Sequence, residues 1–62
     1  MSSELAIQQV RNDMNRLRAR LFDLVEVAAL PDEQQRAFKG LIRTLTYDSQ
    51  ATLEALLRGG DN

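Results

Sequence analysis

ALPDEQ, residues 29–34, holds the only proline of the chain and divides it into two segments of nearly equal length. Pro31 fits the first position of a new helix, where its missing N–H costs nothing. Asp32 and Glu33 would then occupy the first turn and complement the positive end of the helix dipole. Alternatively, Asp32 is the N-cap and Gln35 completes a box-like pair. Both placements leave a link of about two or three residues, too short for anything but two helices running antiparallel.

Before this link, Ile7, Val10, Met14, Leu17, Leu21, Leu24 and Ala28 recur at alternating steps of three and four. That is the seam of a heptad repeat. Ser2 or Ser3 can cap its start, and Glu4 suits the positive end. After the link, Phe38, Leu41, Ile42, Leu45, Ser49, Thr52, Leu53 and Leu56 share one face of a second helix. Arg58 is a favourable cation in the last turn, and Gly59 is the expected left-handed terminator. The prediction is an all-α chain with helices over about 3–29 and 32–58, each ~40 Å long, forming one helix-turn-helix hairpin domain over 1–62. A lone hairpin leaves half of each apolar stripe wet, so the hairpin is expected to dimerise into a four-helix bundle. Its oligomer core would be Ile7, Val10, Met14, Leu17, Leu21, Leu24, Phe38, Leu41, Ile42, Leu45, Ser49, Thr52 and Leu56. Inward Ser49 and Thr52 would bond back to carbonyls one turn earlier and help fix register.

Composition narrows the functional classes. A chain of 62 residues without Cys or His has neither disulfides nor imidazole or thiolate metal ligands to support a small core. Self-association is the remaining usual support. Eight basic and nine acidic side chains do not make a non-specific nucleic-acid binder. No segment has the length and apolarity of a membrane span, and the N-terminus lacks the pattern of a signal peptide. A cytoplasmic protein is expected, and the initial Met and polar tail fit a complete small gene product. Nucleophile–base pairs, Gly-rich loops and paired carboxylates are missing from the pattern, so no enzyme and no cofactor are expected.

Three surfaces could bind a partner. On the second helix, Arg36, Lys39, Arg43, Tyr47, Gln50 and Glu54 form one stripe, read as an outer face with cations for an acidic surface and a flat amphipathic Tyr47. On the first helix, Arg11, Asn15, Arg18, Phe22, Val25 and Ala29 lie beside the seam. Here Phe22 and Val25 either finish the core near the turn or form an exposed patch rimmed by arginine. The third is a local basic patch of Arg11, Arg16, Arg18 and Arg20, with Asp13 and Asp23 at pairing distance along the helix. Gly40, near the outer side, is either tolerated or marks close approach by a partner.

The layout resembles the Rop family of plasmid-encoded RNA-binding regulators. The likeness lies in two long helices, a tight turn followed by Asp32, Glu33 and Gln34, and a tail of Gly59, Gly60, Asp61 and Asn62. This resemblance implies a dimeric four-helix bundle and RNA contacts from the first helix. At the corresponding positions stand Val10, Met14, Arg18 and Val25, of which Arg18 has the chemistry for such a contact. FKGLIRTLTYDSQATLEALL, residues 38–57, loosely resembles the last helix of small phage sponge proteins that sequester cyclic nucleotides. That likeness implies a pocket of Arg36, Lys39, Arg43 and Tyr47. The leading expectation is a non-enzymatic regulator or inhibitor that self-associates and binds a partner protein through Arg18, Phe22, Val25, Arg36, Lys39, Arg43 and Tyr47. An RNA-binding regulator and a cyclic-nucleotide sponge are the alternatives.

Overall fold

The computed structural model describes residues 3–59. Ser2 as a cap and the tail beyond Gly59 lie outside the described residues. Helix α1 runs Ser3–Ala28 and helix α2 runs Asp32–Gly59, packed side by side as an antiparallel hairpin. The Cα trace measures 46 × 17 × 8 Å. It is two helices wide and one helix thick, so each broad side of the slab is a surface.

The connection differs from both sequence readings. Ala29 adopts φ 52°, and its N–H donates to the Glu26 carbonyl at 3.2 Å. An alanine, with no glycine nearby, therefore supplies the left-handed residue that ends α1, at a conformational cost of roughly 1–2 kcal/mol. The Gln35 N–H donates to the Pro31 carbonyl at 2.9 Å. Pro31 thus sits at the cap rather than one residue inside, and its carbonyl receives the first helical bond. The Gln35 side chain completes no capping box, because its Nε2 donates across to Glu26 of α1 at 3.1 Å. At the other end, Gly59 closes α2 without the positive φ expected of it.

Among the described residues the buried apolar ones are Ile7, Val25 and Ile42. As many polar residues are buried beside them: Arg18, Thr46 and Glu54. The closed seam between α1 and α2 is therefore half polar. The broader apolar stripes lie to one side of it. Leu17 and Leu24 of α1 and Phe38, Leu41, Leu45, Ser49, Thr52 and Leu56 of α2 are all exposed.

Candidate functional site: a polar ladder and an apolar face

The polar ladder is built from residues one helical turn apart. Arg11 and Arg18 on α1 meet Glu54 and the pair Thr46 and Gln50 on α2 in reversed order, as antiparallel helices require, and Asn15 supports Arg18 from within α1. At the open end of the hairpin, Arg11 makes a bidentate pair with Glu54: Nε donates to Oε2 at 3.1 Å and Nη2 to Oε1 at 3.0 Å. Arg58 approaches the same carboxylate at 3.8 Å. The hydrogen bonds from Arg11 and Gln50 hold the Glu54 carboxyl below the usual carboxylate range. Reciprocally, Glu54 raises the Arg11 guanidinium further.

Arg18 occupies the centre and is only 6 % exposed. Among the described residues no carboxylate forms an ion pair with it. Its Nε donates to Thr46 Oγ1 at 2.8 Å, Nη1 to Asn15 Oδ1 at 2.7 Å and Nη2 to Gln50 Oε1 at 3.3 Å. The guanidinium lies over the Tyr47 ring, 3.7 Å from its centroid, so ring quadrupole and neutral dipoles together replace the lost hydration. The Thr46 hydroxyl gives its own proton to the Ile42 carbonyl at 2.6 Å, which leaves its oxygen as an acceptor for Arg18. Gln50 passes the network on by donating to Glu54 Oε2 at 3.0 Å. Among the described residues no buried side-chain polar atom lacks a partner.

Toward the turn the ladder continues. Arg43 lies over the Phe22 ring at 5.6 Å, and Lys39 Nζ donates to Glu26 Oε1 at 2.9 Å. That hydrogen bond, with the Lys39 charge, holds the Glu26 carboxyl below its ordinary range.

These contacts correct the two outer faces expected from the sequence. Arg18 and Val25 are buried, Phe22 is half-buried beneath Arg43, and Glu54 is 8 % exposed. Gln50, expected outward, bonds across the seam. The two stripes meet each other because each contains hydrogen-bonding partners for the other. Of the candidate partner-binding residues, the structure pairs Arg18 with Tyr47 and Phe22 with Arg43. It ties Lys39 to Glu26 and leaves Arg36 exposed with no ion pair among the described residues. Tyr47 keeps 53 % of its surface exposed. The back-bond expected of Ser49 and Thr52 is made by Thr46, which sequence reasoning passed over. The four-residue spacing of Thr46, Gln50 and Glu54 was the signal that could have found it.

On the opposite side of the slab lies the apolar face. Ile7 and Ile42 are spent inside the hairpin, and Val10, Met14 and Leu21 are partly covered. Leu24, Phe38, Leu41, Leu45 and Leu56 are more than half exposed. Near the turn the two helices part into a groove of about 310 Å³, lined by Leu21, Leu24, Val25, Ala28, Leu30 and Phe38. Its lining places Leu24 of α1 and Phe38 of α2 on the same side of the hairpin near the turn.

Among the described residues no helix is long and apolar enough to cross a membrane, and no group of acidic side chains is placed to hold a metal ion. Gly40 has open space where a Cβ would stand. Comparison with family models, curated proteins and solved structures gives no match. The hairpin agrees with a Rop-like layout in architecture alone.

Proposed function

We propose that the chain is a small non-enzymatic regulatory protein that acts as a homodimer. Two hairpins close their apolar faces into a four-helix bundle, and the ladder faces stay outward to engage a partner protein. The observation that carries this reading is the uncovered apolar face. The chain exposes 4964 Å², whereas a compact protein of 7.0 kDa exposes ~4,000 Å². The surplus of roughly 900 Å² is close to the ~800 Å² that each partner gives to a standard specific interface. The exposed Leu24, Phe38, Leu41, Leu45 and Leu56 are the form of surface that a second copy of the same slab would cover symmetrically. After closure the outward ladder carries the exposed Arg36, Arg43 and Tyr47, residue types suited to anchoring on an acidic protein surface. Arg18 does not serve as an anchor, because its donors are engaged within the chain.

Sedimentation equilibrium tests the assembly. Twice the chain mass is expected, and Leu45→Glu, at the centre of the apolar face, should leave only monomer. A wild-type monomer at every concentration refutes the bundle. For the partner, affinity capture with wild type and Tyr47→Ala is compared, with and without nuclease. The expected result is one nuclease-resistant protein, retained by wild type and lost from Tyr47→Ala while that variant still sediments as the dimer. Nuclease-sensitive capture would replace this reading with RNA binding.

A further inference from the structure

We infer that one row of α2, Arg36, Gly40, Arg43 and Tyr47, docks an acidic amphipathic helix of the partner protein, which rests on the partner-binding reading proposed above. These residues follow one another at steps of four, three and four, so they stand one above the other along a single line of the helix surface. Arg36, Arg43 and Tyr47 are exposed. The row lies on the ladder side of the slab, because Arg43 reaches over Phe22 and Tyr47 covers Arg18. The proposed bundle closes the other side and leaves this row open.

Gly40 is the residue of this row that the hairpin does not explain. Glycine is the weakest helix former after proline, yet Gly40 stands in the interior of α2. Its φ is not positive, and a Cβ placed on it would meet nothing within 4 Å. Neither the backbone conformation nor packing against α1 therefore calls for glycine. The missing side chain instead leaves a notch between the two arginines, where a bulky side chain of another molecule can reach the α2 backbone.

The charges flanking the notch select the occupant. Lys39 and Arg11 are balanced within the chain by Glu26 and Glu54, whereas Arg36 and Arg43 form no ion pair among the described residues. The two arginines are two turns apart, about 10.5 Å along the axis. A helix presents carboxylates at that spacing from positions seven apart, and a side chain of the turn between them then faces Gly40. An extended strand does not match, because side chains on one of its faces recur at about 6.7 and then ~13 Å. Two such cations in a chain of net charge −1 are also too few for a phosphate backbone, whose binding draws on many contacts. The occupant is thus a helix with two carboxylates for Arg36 and Arg43 and a bulky apolar residue over Gly40. A second apolar residue, one turn beyond, meets Tyr47, which has one ring face on Arg18 and keeps 53 % of its surface exposed.

The probe is a fluorescein-labelled helical peptide of about 18 residues, with two glutamates seven positions apart and leucines at the intervening and following turns. It is titrated with the whole chain and followed by fluorescence anisotropy. Saturable binding is expected, weakened about tenfold when one glutamate is moved to the opposite face of the peptide. Gly40→Leu should weaken it by a similar factor while melting no lower than wild type, since leucine is the better helix former. Arg16→Gln, on α1 and outside the row, should bind as wild type does. No binding, equal binding of the two peptides, or unchanged affinity in Gly40→Leu overturns the docking row. A single-stranded RNA that binds where the peptide does not would also overturn it, in favour of nucleic acid. The broader reading fails separately: a nuclease-resistant protein captured by wild type and by Gly40→Leu, but lost from Tyr47→Ala, removes this row and leaves the partner-binding proposal standing, whereas capture of no protein at all removes both.

Discussion

The Arg18–Thr46 contact yields a prediction that separates a hydrogen bond from the burial it serves. Thr46→Val keeps side-chain shape and β-branching but replaces the acceptor of Arg18 Nε with a methyl group. Arg18 is 6 % exposed, so water cannot readily take over that donor. Bonds to charged groups contribute ~1.5–3 kcal/mol, and a buried donor left unpaired costs a similar amount. Thr46→Val should therefore destabilise the protein by about 2 kcal/mol. Arg18→Met removes the buried charge and takes a donor only from the side-chain oxygens of Asn15, which is exposed, and Gln50, which is half-buried and keeps access to water. Thr46 still donates to the Ile42 carbonyl and Gln50 still donates to Glu54, while Asn15 is exposed to water. A methionine of similar reach also packs on Tyr47, so Arg18→Met should change stability by less than about 1 kcal/mol in either direction.

The double variant, Arg18→Met with Thr46→Val, has no orphaned group. It should be about as stable as Arg18→Met alone, giving a coupling of about 2 kcal/mol. Urea denaturation of all four proteins, at one chain concentration because dimerisation would make the midpoint concentration-dependent, measures the cycle. The reasoning is refuted if Thr46→Val costs the same with Met at position 18 as with Arg. The loss would then come from packing or helix propensity and not from a stranded guanidinium.

Three further outcomes follow from local geometry. Ala29→Gly should stabilise by about 0.5–1 kcal/mol, since glycine accepts the φ of 52° at no steric cost, and thermal melting measures it. Gly40→Ala should stabilise by about 1 kcal/mol in the same assay, because its Cβ enters open space; lost partner capture without lost stability would show that a partner approaches there. Acid should destabilise the hairpin through Glu54 and Glu26. Both carboxyls lie below their ordinary values in the folded chain, so their contribution is full above the unfolded value of ~4.3 and is lost as pH falls through the lower folded values. Glu54→Gln should flatten the stability–pH profile in that window, and an unchanged profile would remove Glu54 as a cause.

The helices and their antiparallel course were legible because Pro31 interrupts two long apolar periodicities. The pairing of faces was not. An apolar stripe has two flanks, and a helical wheel does not say which one meets the chain's own second helix. Arg18, Gln50 and Glu54 stand beside the heptad seam, where polarity suggests solvent, and Phe22 and Val25 fit equally a core edge near the turn and an exposed patch. Their complementarity, visible only when α1 and α2 are compared in reverse order, carries the opposite meaning. The chain reversal was hidden for a different reason: Ala29 adopts a conformation that side-chain chemistry does not advertise.

The two sides of the slab differ in what they demand of geometry. Sliding α2 by one turn along α1 moves every partner by about 5.4 Å, beyond hydrogen-bond reach. Arg18 would lose Thr46, and Arg11 would lose Glu54. The apolar stripes would lose far less, since leucine meets leucine again after one turn. Directional bonds therefore set the register inside the chain, where a half-polar seam contributes little net stability. The non-directional apolar surface is reserved for the proposed second copy, where burial supplies most of the free energy. This division accounts for a buried arginine at the centre of a small protein whose leucines face outward: the ladder makes one slab of defined shape, and a slab of defined shape is what a matching copy requires.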